Sequence, residues 1–151
     1  MRRNKSGFTL VEILIVVIIL GILAAIVIPQ FTNASNDARR SSVSSQLQTL
    51  RSQIELYKLQ HAERWPTANG LIDGAWDWTK LTQKTDITGA AGVDFGPYLQ
   101  QIPMNALNNS TVVVSQAADP AVGDNVAGGF VFSQATGKIF ATDQNFNVTA
   151  D

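Results

Sequence analysis

With 151 residues and 16.3 kDa, the chain is long enough for one domain with a modest core and too short for two comfortable ones. Hydrophobic residues make up 45% and charged residues only 15%, against about 25% charged in an average soluble domain. That excess, with a net charge of −1, excludes a disordered chain and calls for a membrane segment or a large packed surface. Eleven Lys and Arg against twelve Asp and Glu give no global electrostatic reason to bind nucleic acid. The absence of cysteine excludes a disulfide framework, thiolate zinc sites and a Cys nucleophile, and the single histidine, His61, leaves little for His-based chemistry.

The first thirty residues are segregated by polarity. Arg2, Arg3 and Lys5 open the chain, and Ile13 to Pro29 then contains no polar side chain. As a helix, Phe8 to Phe31 spans about 36 Å, enough for a hydrocarbon layer of about 30 Å. The basic cluster predicts a cytoplasmic N-terminus with the rest of the chain across the membrane. A secretory signal peptide is the simpler alternative, but the apolar run exceeds the usual apolar region and no good A-x-A follows it. Glu12 weighs more heavily against it. A carboxylate just inside a membrane helix costs free energy, so it is a functional candidate whose partner must be named.

Lys5-Ser6-Gly7-Phe8-Thr9-Leu10-Val11-Glu12, followed by Ile13-Leu14-Ile15-Val16-Val17, resembles the N-terminal motif of type IV pilins and type II secretion pseudopilins. The resemblance implies that a prepilin peptidase cuts after Gly7 on the cytoplasmic side and methylates the new N-terminal residue, Phe8. Cleavage would remove three cationic side chains and create an ammonium at Phe8, beside the apolar phase. Glycine suits the scissile position because no Cβ obstructs entry into a protease site. Glu12 is then the carboxylate able to neutralise an ammonium in that layer, either its own, about one turn away, or a neighbouring subunit's. In the family the pairing is thought to be intermolecular and to set subunit register, which makes Phe8 and Glu12 the expected assembly residues. Gly21 and Pro29 are the expected points of helix kinking.

Beyond Pro29 the composition turns polar, yet Val43, Leu47, Leu50, Ile54 and Tyr57 keep a helical spacing that draws one apolar stripe. This stripe is expected to dock on a sheet, and the helix to end near Arg64, before Pro66. Residues 67–110 are rich in turn formers, with one short helix expected around Asp77–Gln83. Strands are expected at Thr111–Gln116, Gly129–Ser133 and Lys138–Thr142. The last two flank a hairpin turn, Gln134 to Gly137, with Gly137 at a positive φ. The fold class is therefore α+β: a long N-terminal helix, its first half in the membrane, packed on a small C-terminal antiparallel sheet in the pilin manner. Its expected parts are a cleaved leader at 1–7, a transmembrane and filament-core helix at 8–31, the periplasmic half of the helix at 32–65, and a loop region with the sheet at 66–151.

Trp65-Pro66-Thr67 with Gly70-Leu71, and Gly96-Pro97-Tyr98-Leu99 with Ile102-Pro103, are similar to stretches of major pseudopilins from type II secretion systems. Type IV major pilins often staple their C-terminal region with a disulfide, so the missing cysteines tilt the reading toward a pseudopilin. The resemblance also implies a calcium ion in a C-terminal acidic loop. Here Asp143, Asn145, Asn147 and Asp151 are the oxygen donors in that region, with Asp119 and Asp124 before the hairpin. The alternating donors lack the glycine and closing glutamate of a calcium loop, so a solvated tail, with no metal and no other cofactor, is the expectation.

No enzyme site emerges. Ser41, Ser42, Ser44 and Ser45 lack a nucleophile elbow. His61 is placed to complement a helix end, and Trp65, Trp76 and Trp78 read as core and loop anchors. No phosphate-cradling loop is present, so any assembly ATPase must be a separate protein. The expected function is a structural subunit of a type II secretion pseudopilus. Its implied partners are further copies of itself, the prepilin peptidase, an inner-membrane assembly platform with a cytoplasmic ATPase, and minor pseudopilins, with no nucleic acid. The alternatives are a type IV pilin for adhesion, motility or DNA uptake, and a membrane-tethered periplasmic enzyme or binding domain.

Overall fold

The helical period read from residues 43 to 57 belongs to one long helix, α1, Leu10–Gln60. The computed structural model describes residues 7–149; the basic cluster Arg2, Arg3 and Lys5, and Asp151, lie outside the described residues. The chain divides into two units, one up to Ala38 and one from Arg39 onward. In the first unit every described side chain is exposed, including the whole apolar run from Phe8 to Phe31. Such a surface has no core of its own and is stable only in an apolar medium or against other chains.

In the second unit α1 buries Val43, Leu47, Leu50, Ile54 and Tyr57, the stripe that the spacing picks out. They share one core cluster with Leu81, Phe130, Ile139 and Ala141. The helix ends at Gln60 rather than near Arg64. Ala62 and Glu63 adopt positive φ of 50° and 62°, and the Glu63 N–H bonds the Lys58 carbonyl at 2.9 Å, which closes the last turn. Pro66 bounds the helix from outside without setting its end. The short helix α2 is Thr79–Thr82, within the expected stretch.

The strands β1, Val113–Gln116, β2, Phe130–Ser133, and β3, Ile139–Ala141, form a sheet in the order β1-β2-β3. The long helix on a small sheet is the expected α+β class, but the sheet is mixed. β2 and β3 pair antiparallel as a hairpin, whereas β1 runs parallel to β2, with Val113 opposite Phe130. The segment between β1 and β2 is long enough to carry the chain back to the starting end, which a two-residue turn cannot do. Alternation then sorts the side chains: Phe130, Phe132, Ile139 and Ala141 are buried, while Val131 and Phe140 belong to a second cluster with Val126 and Val148. Phe140, inside the strand expected at Lys138–Thr142, packs on that second cluster and not beneath the helix.

Side chains of α1 and the loops close the exposed edge of β3. Arg51 donates from Nε and Nη2 to the Ile139 carbonyl at 3.2 and 2.8 Å, and the Thr149 N–H donates to the Ala141 carbonyl at 2.9 Å. The loop before β1 is fastened by a fully buried amide. Asn105 Nδ2 donates to the Gly129 and Thr142 carbonyls at 2.6 and 2.8 Å, and its oxygen accepts the Leu107 N–H at 2.8 Å.

The hairpin turn has the expected conformation, with Gly137 at φ 70°. A Cβ there would lie 1.8 Å from a ring carbon of Trp65, so both the backbone and the packing exclude a side chain. Gly137→Ala is expected to destabilise the domain by about 2–4 kcal/mol, the sum of left-handed strain and overpacking. Urea unfolding of the domain checks this, and a loss under about 0.5 kcal/mol would show that Trp65 moves aside freely.

Candidate functional site

Gly7 and Phe8 precede α1 in non-helical backbone, and Phe8 is 83% exposed. Thr9 is the N-cap of α1. Its N–H and its hydroxyl both donate to Glu12 Oε2 at 2.8 Å, and the Glu12 N–H returns a 3.3 Å bond to the Thr9 hydroxyl oxygen. This is a reciprocal capping box, which satisfies two of the otherwise unpaired donors at the helix start. The carboxylate that stands out against the apolar run therefore has a local partner within the chain. Thr9 is the site residue that the sequence reading missed, although the Thr-x-x-Glu spacing ahead of an apolar run is its direct signature.

Gly7 is not a glycine for reasons of local packing. Among the described residues a Cβ there would meet nothing within 4 Å, and the same holds for Gly21. Gly21 and Pro29 both lie inside α1. Three residues past Pro29, the Thr32 hydroxyl donates to the Ile28 carbonyl at 3.1 Å. Among the described residues α1 is the one helix long and apolar enough to cross a membrane.

The other candidates resolve into structural roles. His61 is fully buried, stacked on Tyr57 with ring centroids 3.8 Å apart. Its Nδ1 lies 2.8 Å from the Tyr57 carbonyl, which only accepts, so Nδ1 carries the proton. Its Nε2 lies 2.8 Å from the Thr85 hydroxyl. His61 thus meets the end of α1 as a clamp on the loop that begins at Thr85. Burial pushes the neighbouring Tyr57 hydroxyl up to about 12, far from any working acid or base. Trp65 and Trp76 pack on Phe132, and Trp78 packs on Phe130. Among the serines, the Ser45 hydroxyl donates back to the Ser41 carbonyl one helical turn earlier.

The described carboxylates of the acidic C-terminal segment, Asp151 lying outside the described residues, accept hydrogen bonds from the chain itself. Asp143 Oδ1 accepts the N–H groups of Asn145 and Asn147 at 2.8 and 2.9 Å, so its carboxylate closes its own turn. Asp119 Oδ1 accepts from the Ser133 and Thr136 hydroxyls, which hold its carboxyl below the usual range, and Asp124 accepts the Ala121 N–H. Among the described residues no three His, Cys, Asp or Glu side chains converge on a point that could hold a metal. Melting the domain in about 1 mM calcium and then in chelator is expected to show no shift. A clear rise, lost on Asp143→Ala, would establish a site.

Residues 2–28 match the family described as the prokaryotic N-terminal methylation motif. The chain is 40% identical to the type II secretion system core protein G of Pseudomonas aeruginosa over 46% of its own length and 49% of that protein's. It is 28% identical to the core protein G of Aeromonas hydrophila over 76% of each chain. It is also 41% identical to the type IV major fimbrial protein FimA of Dichelobacter nodosus over 62% of each. The chain thus spans about half the length of the first of these curated relatives and three quarters of the second. No solved structure matches it.

A long helix, apolar and exposed in its first half and docked on a small sheet in its second, is the pilin-like α+β fold. The matched motif covers the N-terminal segment, and the chain is similar both to type II secretion core proteins and to a type IV major fimbrial protein. The motif and the apolar helix point to anchoring in the inner membrane.

Proposed function

We propose that the chain is a structural subunit of a type II secretion pseudopilus. In this reading residues 1–7 are a cytoplasmic leader, residues 8–31 first cross the inner membrane and later form the filament core, and the domain built on residues 32–151 lies in the periplasm. The prepilin peptidase cuts between Gly7 and Phe8 and methylates the Phe8 amine. The subunit then polymerises on an inner-membrane platform driven by a separate cytoplasmic ATPase, with minor pseudopilins as further partners, and the filament helps to move folded proteins across the outer membrane.

The observation that carries the proposal is the combination of a prepilin-type N-terminus with an apolar helix surface left wholly uncovered from Phe8 to Phe31. Two details support the processing step. The scissile bond lies in non-helical backbone just before the capped start of α1, and among the described residues no neighbour demands a glycine at Gly7. Gly21 and Pro29 are the points at which the packed helix would yield. Intact-mass analysis of the protein from cells with an active prepilin peptidase is expected to show 144 residues starting at Phe8 with one methyl group, seven residues having been removed. A chain that keeps residues 1–7 in such cells would sink the assignment.

The match to a major fimbrial protein favours a second reading, a type IV pilin. Deleting the gene separates the two: loss of protein secretion supports the pseudopilus, and loss of adhesion, motility or DNA uptake with secretion intact supports the pilus.

A further inference from the structure

The second unit carries an elongated groove of about 700 Å³ between one face of α1 and the C-terminal loops. Arg40, Ser44 and Gln48 form its helical wall, Leu47 and Val148 its floor, and Asn147 its far rim. The wall has one sign of charge: from Ala38 to Gln53, α1 carries Arg39, Arg40 and Arg51 and no acid. Asp143 lies on the opposite side, with its Oδ1 held in its own turn.

A complementary shape stands at the distal end of the same domain. The loop from Thr85 to Phe95 exposes Ile87 and Val93, the latter at 79%, and carries Asp86 and Asp94 with no base. It is built rigidly. The Thr85 N–H donates to the Phe95 carbonyl at 3.0 Å, the Phe95 N–H donates back at 2.9 Å, and Asp86 Oδ1 accepts the Thr88 and Ala90 N–H groups. His61 fixes the loop to the end of α1 through Thr85. Lys80 Nζ holds the Gly89 carbonyl at 2.6 Å, while the Ile87 and Val93 side chains stay exposed among the described residues. An apolar floor beneath an arginine lies about 24 Å away along α1, the rise from Ser44 to Gln60.

We infer that the groove receives the 85–95 loop of a second copy, with Val93 on the Leu47–Val148 floor and Asp94 paired with Arg40. The inference rests on the pseudopilus reading and adds to it a contact between periplasmic domains, beyond the pairing of Phe8 and Glu12. Loop and groove are different surfaces, so the contact is heterologous and propagates from copy to copy without closing into a dimer. One loop in one groove is smaller than a stable interface of about 800 Å² per partner. The contact therefore operates among subunits already gathered by their N-terminal helices, and does not dimerise the free domain.

The lack of natural cysteines allows a direct test in filaments assembled from the full chain. Mild oxidation of a Ser44→Cys, Val93→Cys chain is expected to give a ladder of cross-linked multimers. Neither single variant should show it, nor should Ser44→Cys combined with Val112→Cys, a control at another exposed valine. Filaments without the ladder, or an equal ladder from the control pair, would overturn the inference and leave the filament reading standing. Failure of the unaltered, processed chain to form filaments would overturn both. Arg40→Asp and Asp94→Arg are each expected to lower filament yield about fivefold, with the double variant recovering to within about twofold of the unaltered chain. A double variant no better than its parents would overturn the Arg40–Asp94 pairing.

Discussion

Glu12→Val is expected to leave cleavage after Gly7 intact and to reduce filament yield by about a hundredfold or more. On the proposed processing, cleavage would create an ammonium at Phe8 in an apolar layer, and removing one member of a buried ion pair costs about 3–5 kcal/mol because the other is left uncompensated. The capping box complicates the reading of that variant, since valine also removes the bonds to Thr9, worth about 0.5–2 kcal/mol. Glu12→Gln separates the two effects. Glutamine preserves a capping box and loses the charge, so it should assemble as poorly as valine if the charge matters and almost normally if the cap does. Immunoblots of the processed chain and electron microscopy of sheared filaments provide the measurement. Wild-type filament yield in both variants would remove Glu12 from assembly.

The second large effect is on stability. Leu50 is 1% exposed and sits at the centre of the stripe that α1 buries. Leu50→Ala in the separate 36–151 domain is expected to cost about 2–5 kcal/mol, the lost transfer of the three side-chain carbons beyond Cβ plus the cavity left behind. A domain of this size is stable by about 5–15 kcal/mol in total, so the variant should unfold at clearly lower urea concentration. A loss below about 0.5 kcal/mol would move the stripe from the core to a subunit surface.

These two sites were legible in the sequence for different reasons. Val43 to Tyr57 could be read because burial on a helix imposes a 3.6-residue period that survives any change of neighbours. Glu12 stood out because a charge in an apolar run demands an account, and the account the structure gives is local, the capping box with Thr9. The end of α1 could not, because Ala62 and Glu63 enter the left-handed region without a glycine to signal it, and the turn is stabilised by His61 reaching into a loop that begins 24 residues later. The direction of β1 was hidden for a related reason: a strand's own composition says nothing of which way its neighbour runs, and the parallel pairing depends on how the preceding loop is tied down by Asn105 and Asn108. Phe140 shows the same limit at the level of one residue. Its apolarity predicts burial, but only the register opposite Val131 decides which face of the sheet buries it.

The uncovered helix from Phe8 to Phe31 has a consequence for the direction of assembly. In water such a surface would drive association strongly, but lipid tails are as apolar as the side chains of a neighbouring helix. Moving the segment from bilayer to filament core exchanges one dry environment for another, with little hydrophobic gain on either side. Growth and disassembly of a filament made this way would then be nearly balanced, tipped by side-chain packing, by charge neutralisation at its start and by energy supplied from outside. The membrane would then serve as a store of subunits whose transfer into the filament costs little hydrophobic free energy.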